Sequence, residues 1–272
     1  MREDRLLKLN LILKDMGSIV VAYSGGVDST FLLHRANTVR KSGLIAITIR
    51  TPYIPSSEIA EATDFTKTFG IKHKILDIPF PDMMRSNPIE RCYLCKKTLF
   101  TELLTFAKEN NYQFVIDGTN ADDTSDFRPG LEALKELGIR SPLLEAGLTK
   151  KNIKELSRDE GLDIWDKPAM SCLLTRVPYD TEISEGVLRL VEEAENMLFE
   201  KGYPGTRVRI HGDLARIECM PGYIEKIIHN PDKEHIISDL KKIGFRYVSL
   251  DLEGYKQEVQ ILKGKKYECK RS

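Results

Sequence analysis

In the first half of the chain, short apolar runs alternate with longer stretches whose apolar residues recur at helical spacing. "SIVVAY" (Ser18–Tyr23), "LIAITIR" (Leu44–Arg50), "KHKILDI" (Lys72–Ile78) and "QFVID" (Gln113–Asp117) read as strands. Ser29 to about Arg40, Ser57 to about Gly70 and "CKKTLFTELLTFAKENN" read as the helices between them. Glu58 and Glu61 follow Ser57, an order that suits the positive end of a helix dipole. The alternation predicts an α/β fold, a parallel sheet with helices on both faces. In such sheets ligands gather at the carboxyl ends of the strands. Ser24–Asp28 and Gly118–Asp123 both fall there.

Past Gly130 the pattern turns helical, with "GLEALKELG" and then "TKKNIKELSRDEG", for which Thr149 is the expected cap. A loop holding the only tryptophan, Trp165, follows. Its Lys167-Pro168 and Val177-Pro178 steps interrupt regular structure and place the expected domain boundary at residues 170/171. Residues 171–272 then read as a smaller α+β domain. It runs as a helix over Ser184–Lys201, "TRVRIH" and "LARIEC" as a hairpin around His211-Gly212-Asp213, two helices, and "FRYVSLDL". The last residues, "KGKKYECKRS", are polar.

Charge narrows the function classes. Lys+Arg and Asp+Glu are both 41, so the 272-residue chain carries no net charge and lacks the basic excess of a general nucleic-acid binder. The N-terminus is charged and has no apolar signal core, and no stretch nears the roughly 20 apolar residues of a membrane span. A soluble cytoplasmic protein with reduced thiols is the expectation.

The strand "VVAY" runs into Ser24-Gly25-Gly26-Val27-Asp28-Ser29 and then a helix. Glycines there let backbone N–H groups close on an anion at a helix start, and Ser24 and Ser29 add hydroxyl donors. No lysine follows the glycines, so this is not the G-x-x-x-x-G-K-[ST] loop. Asp28 would repel a phosphate unless Mg²⁺ lay between them. In "DGTNADD", Asp122 and Asp123 at a strand end read either as a polar turn or as groups that help hold Mg²⁺ and the nucleotide.

The five cysteines are Cys92, Cys95, Cys172, Cys219 and Cys269. Cys92-x-x-Cys95 alone admits redox, zinc, iron–sulfur or incidental readings. A zinc site wants four ligands, and neither Cys219 in its strand nor Cys269 in the tail is an obvious fourth. Three cysteines suffice for a [4Fe–4S] cluster with one iron left open.

The Ser24–Ser29 loop resembles that of the PP-loop ATP pyrophosphatases, which cleave ATP between the α and β phosphates and adenylylate a substrate oxygen. Beyond the loop, "AYSGGVDST", "DGTNADD", "DFRPGLEALKELGIRSPL", "SCLLTRVPY" and "TRVRIHGDLARIE" resemble the LarE family across nearly the whole chain. These are sulfur transferases that mature the nickel-pincer nucleotide of lactate racemase. The resemblance implies that the chain adenylylates a carboxylate of pyridinium-3,5-biscarboxylate mononucleotide and makes it a thiocarboxylate. Nucleotide contacts then fall to Ala22, Ser24, Gly25, Gly26, Asp28, Ser29, Gly118, Asn120, Asp122 and Asp123, with Asp28 serving Mg²⁺ and catalysis. One family branch sacrifices a single cysteine, which Cys172 matches. The other holds a [4Fe–4S] cluster on three, and with Cys92 and Cys95 present this chain resembles that branch.

Family resemblance also carries Arg176, Glu195, Arg207 and Arg209 over as substrate contacts, with Thr175 where serine is more usual. By alternation alone, the face bearing Arg207, Arg209 and His211 reads as a solvated strand face. Other implied partners are a small nucleotide substrate, a sulfide or other sulfur donor, and further copies of the chain in a homo-oligomer, as in a hexamer. The nearest rival is a PP-loop tRNA thiolase, which the neutral charge disfavours.

Overall fold

The computed structural model describes residues 2–40, 42–124, 129–167 and 171–255. The chain divides into two compact units, Met1–Arg189 and Leu190–Ser272.

The first unit is built on four parallel strands in the order β3-β2-β1-β4: β1 (Ile19–Ala22), β2 (Leu44–Arg50), β3 (His73–Asp77) and β4 (Phe114–Ile116). Ile19 pairs with Leu44 on one side and Phe114 on the other, so β1 is central. Its period-2 alternation sorts two cores. Ile19 and Val21 face a cluster that includes Leu9, Phe31, Leu33 and Ile153, while Val20 joins Ile45, Phe100, Leu103 and Leu134. The first cluster draws on α1 (Arg2–Asp15), α2 (Val27–Val39), α3 (Ser56–Thr68), α6 (Pro142–Glu145) and α7 (Lys150–Asp159). The second draws on α4 (Arg91–Glu109) and α5 (Pro129–Glu136). Helices therefore cover both faces, as the alternation predicts.

Three local readings change. The first helix, α1, had no counterpart in the sequence reading because its charges hide a narrow apolar stripe; Leu9 and Leu13, one turn apart, are fully buried. Helix α4 starts at Arg91 rather than Cys95, closing its first turn from Pro88 and Glu90 carbonyls, so both cysteines of the C-x-x-C lie on it. Residues 171–189 belong with the first unit. Leu173 N–H donates to the Tyr53 carbonyl (2.9 Å) and Ile183 N–H to that of Arg85 (2.7 Å). The buried Asn87 amide donates to the Leu174, Val177 and Pro178 carbonyls at 3.3, 2.9 and 2.9 Å. A proline-rich loop stitched down in this way is packed structure.

The division falls within α8 (Glu185–Glu200). The second unit carries a sheet ordered β5-β6-β7. β5 (Arg207–His211) and β6 (Leu214–Glu218) form the expected antiparallel hairpin. β7 (Tyr247–Leu250) pairs parallel to β6 after α9 (Pro221–Ile228) and α10 (Lys233–Ile243). Cys219 is fully buried beside this hairpin, while Cys269 lies outside the described residues. Among the described residues, no helix is long and apolar enough to cross a membrane.

Candidate active site

Gly25 has a φ of +72°, a left-handed conformation that turns the chain from the end of β1 into α2. Gly26 starts that helix without any side-chain cap. The Ser24 and Ser29 hydroxyls meet at 3.0 Å, and Ser29 Oγ also lies 3.1 Å from the Gly26 carbonyl, which braces the loop from inside. The first-turn amides of α2 have no intrahelical acceptor, as at any helix start. Gly118, at the end of β4, passes directly over this turn. A Cβ there would stand 2.8 Å from the Ser29 nitrogen, so the close approach requires glycine.

The "DGTNADD" loop is wired to the same point. Asp123 Oδ2 accepts from Asn120 N–H (2.9 Å), Asn120 Oδ1 from Asp122 N–H (2.9 Å), and Asp122 Oδ2 from Lys150 N–H (2.8 Å). Thr149 and Asn152 form a reciprocal capping box at the start of α7, as the Thr149 reading anticipated. Lys150 is thereby aimed across at Asp28 and donates to Oδ2 at 2.6 Å. Among the described residues, the buried Asp28 Oδ1 has no hydrogen-bond partner of good geometry, although the Asn120 side chain is near enough to steady the carboxylate. Burial holds the Asp28 carboxyl above its ordinary value; Lys150 pulls it back and the Asp123 charge pushes it up again. A half-neutralised carboxylate with one unsatisfied oxygen is suited to a cation.

A second lysine reaches the loop. Lys167 Nζ donates to the Gly25 carbonyl at 3.0 Å and pairs with Glu61 of α3. Sequence reasoning named neither Lys150 nor Lys167 as a site residue. For Lys150 the available signal was its place immediately after the Thr149 cap.

Two of the thiols, Cys95 and Cys172, lie beside Tyr53, just beyond β2. Its hydroxyl lies 3.5 Å from Cys95 Sγ, and its carbonyl holds Leu173, next to Cys172. Cys92 and Cys95 sit three apart on α4, on one side of the helix. Burial pushes the Cys95 thiol up to about 12, eased by the Tyr53 hydroxyl and raised further by the charges of Cys172 and Cys92. Burial also raises the Cys172 thiol, with Arg91 opposing and Cys92 adding to the rise. The three sulfurs thus lie within one another's electrostatic reach. Among the described residues, however, no three His, Cys, Asp or Glu side chains stand close enough together to hold a metal ion.

Arg91, which sequence reasoning missed, ties the start of α4 to the Cys172 segment. Its Nη1 donates to Asn87 Oδ1 (3.0 Å), and its guanidinium lies 4.1 Å from the Tyr179 ring centroid. Arg176 is 2 % exposed and curls back on its own turn, donating to the Ser171 carbonyl (2.9 Å), Ser171 Oγ (2.7 Å) and Thr175 Oγ1 (2.7 Å). Thr175 therefore provides the hydroxyl that the more usual serine would.

In the second unit, the arginines of that strand face are largely buried against carboxylates, while His211 at its end is exposed. Arg207 is 5 % exposed and lies 3.8 Å from Glu195 Oε2, while Glu195 Oε1 accepts from Val208 N–H at 2.9 Å. Arg209 Nε donates to Glu218 Oε1 at 2.7 Å, and Arg216 Nη2 lies 2.9 Å from the same oxygen. Glu195 and Glu218 replace water as partners, which periodicity alone does not reveal.

No family model matches the chain. Pyridinium-3,5-bisthiocarboxylic acid mononucleotide synthase of Lactiplantibacillus plantarum is 33 % identical over 247 residues, spanning 90 % of this chain and 89 % of that protein. This chain belongs to the LarE family. Two uncharacterized proteins are similar over more than nine-tenths of this LarE chain. One from Synechocystis sp. is 38 % identical over 94 % of this chain and 96 % of its own. One from Methanocaldococcus jannaschii is 38 % identical over 93 % of this chain and 97 % of its own. Among solved structures, NMN synthetase from Francisella tularensis shares the fold, with a TM-score of 0.50 and 18 % identity over 62 % of this chain and 75 % of that one. The LarE chain thus has a PP-loop type of sheet, with its glycine loop at the end of the central strand.

Proposed function

We propose that this chain is an ATP-dependent sulfur transferase that adenylylates a carboxylate of pyridinium-3,5-biscarboxylate mononucleotide and exchanges its oxygen for sulfur. One observation carries the reading: a single α/β unit holds both a lysine-free glycine loop that carries Asp28 and three thiols within one another's electrostatic reach, two of them beside Tyr53. Nucleotide chemistry and sulfur chemistry need those two parts, and the name of the Lactiplantibacillus relative fits their combination.

In the first step, a carboxylate oxygen attacks the α-phosphorus of ATP and the bond to the β-phosphate oxygen breaks, releasing pyrophosphate. The α2 amides and the Ser24 hydroxyl hold the departing charge. Asp28 fits Mg²⁺ because, among the described residues, its buried Oδ1 has no hydrogen-bond partner of good geometry, with Asn120 and Asp123 beside it. In the second step, a hydrosulfide-level sulfur attacks the acyl carbon and AMP leaves with the electron pair of the C–O bond.

Cys92, Cys95 and Cys172 fit a [4Fe–4S] cluster in donor type and number, and would have to draw closer to bind it. Such a cluster supplies a nucleophilic sulfur through its open iron. Arg91 and Arg176 hold the Cys172 turn in place for that role. Arg207 and Arg209, already oriented by Glu195 and Glu218, take the substrate phosphate as planar forks.

The test is anaerobic turnover with ATP, Mg²⁺, sulfide and the biscarboxylate mononucleotide, followed by mass spectrometry. Expected products are AMP, pyrophosphate and a nucleotide in which sulfur replaces one oxygen. Formation of ADP would falsify the assignment.

A further inference from the structure

The loop from Ser24 to Ser29 contains no cation of its own, yet a nucleotide's polyphosphate carries several negative charges. Among the described residues two lysines reach the loop, and one of them, Lys150, has its ammonium on Asp28. The other is Lys167, which arrives from 142 residues further along the chain. We propose that Lys167 is the cation that grips the β and γ phosphates of the bound nucleotide, and then the pyrophosphate. The proposal rests on the nucleotide reading above.

Three observations support it. The Lys167 ammonium is 3.0 Å from the Gly25 carbonyl, on the residue whose positive φ opens the loop, next to the uncapped start of α2. Its side chain is only 16 % exposed, so the charge is already held at the loop and little freedom is lost on binding. Its present partner is replaceable, since Glu61 on α3 is 54 % exposed and its carboxylate can return to water. An ammonium has three donors, so Lys167 can keep the Gly25 carbonyl while moving another from Glu61 to a phosphate oxygen. The competing role is a latch that pins the turn at Asp163–Asp166 to the loop and never touches ligand.

Binding of ATP, pyrophosphate and AMP, each with Mg²⁺, separates the two roles by calorimetry. AMP lacks the phosphates that Lys167 would hold. Lys167→Met is expected to weaken ATP and pyrophosphate tenfold or more while AMP stays within twofold, and Lys167→Arg should recover most of the loss. Glu61→Gln, which releases the ammonium, should bind pyrophosphate at least twofold more tightly. Unchanged pyrophosphate affinity in Lys167→Met overturns the proposal, as does a loss of AMP affinity equal to that of ATP, the mark of a latch. If Lys167→Met does not fold, the decision passes to Glu61→Gln, where binding no tighter than the parent chain overturns it. A parent chain that binds neither ATP nor pyrophosphate overturns the nucleotide reading itself, which distinguishes that failure from this one.

Discussion

Asp28 serves two opposed demands. Burial raises its pKa, which means that the ionised carboxylate is less stable folded than unfolded, and Lys150 offsets only part of this. A folded-state pKa above the unfolded value makes stability fall as pH rises from the unfolded value through the folded one. Above that window the penalty is fully present, and below it the penalty is gone. Asp28→Asn should therefore unfold at the same or a higher temperature than the parent at neutral pH. The difference should shrink as the pH is lowered through the carboxylate range, while Mg²⁺-dependent pyrophosphate release is lost. Thermal unfolding at several pH values, alongside a pyrophosphate assay, checks both halves. A clear drop in unfolding temperature at neutral pH would mean that the Lys150 pair outweighs the burial. The thiols show the same conflict, because Cys95 and Cys172 are pushed towards the neutral form until something binds them.

At the scale of the element, α7 is the part whose local chemistry reaches furthest. Its capping box satisfies two end amides, and Asp122 takes a third from Lys150. These bonds fix the first turn from which Lys150 extends to Asp28. Thr149→Ala removes the cap, which costs about 1 kcal/mol in typical cases. For the first unit this corresponds to roughly 2–4 °C in unfolding temperature. The KM for ATP should rise with it, because Lys150 loses its anchored start, and Thr149→Ser should restore both values. Loss of stability with unchanged ATP kinetics would detach the cap from the site. The start of α4 is a second such element. There Arg91, Asn87 and Tyr179 lock the Cys92–Cys95 turn to the Cys172 segment. A C-x-x-C within a helix presents both sulfurs to one side, which a loop would not guarantee.

For the molecule as a whole, the decisive question is whether the three thiols act together. If they do, each of Cys92→Ser, Cys95→Ser and Cys172→Ser should lose bound iron and sulfur transfer. Each should still adenylylate the substrate and release pyrophosphate, since the loop is untouched. The contrary outcome is specific: only Cys172 matters, Cys92→Ser stays active, and turnover strips one H₂S from Cys172 to leave dehydroalanine. Iron analysis and intact-protein mass spectrometry distinguish the two. Much of this molecule was readable from order along the chain. Strand–helix alternation specified the parallel sheet, because each run's apolar spacing is set locally by its own backbone geometry. The glycine loop, the Thr149 cap and the β5–β6 hairpin were likewise local signals. The lysines facing the loop were not, since Lys150 and Lys167 lie 122 and 142 residues from Asp28 and Gly25, and a surface lysine looks the same in sequence. Nor was the burial of Arg207, where periodicity assigns a face but cannot say that Glu195 will cover it. Propensity and patterning act within a few residues, whereas pairing of charges depends on which elements the folded sheet brings side by side.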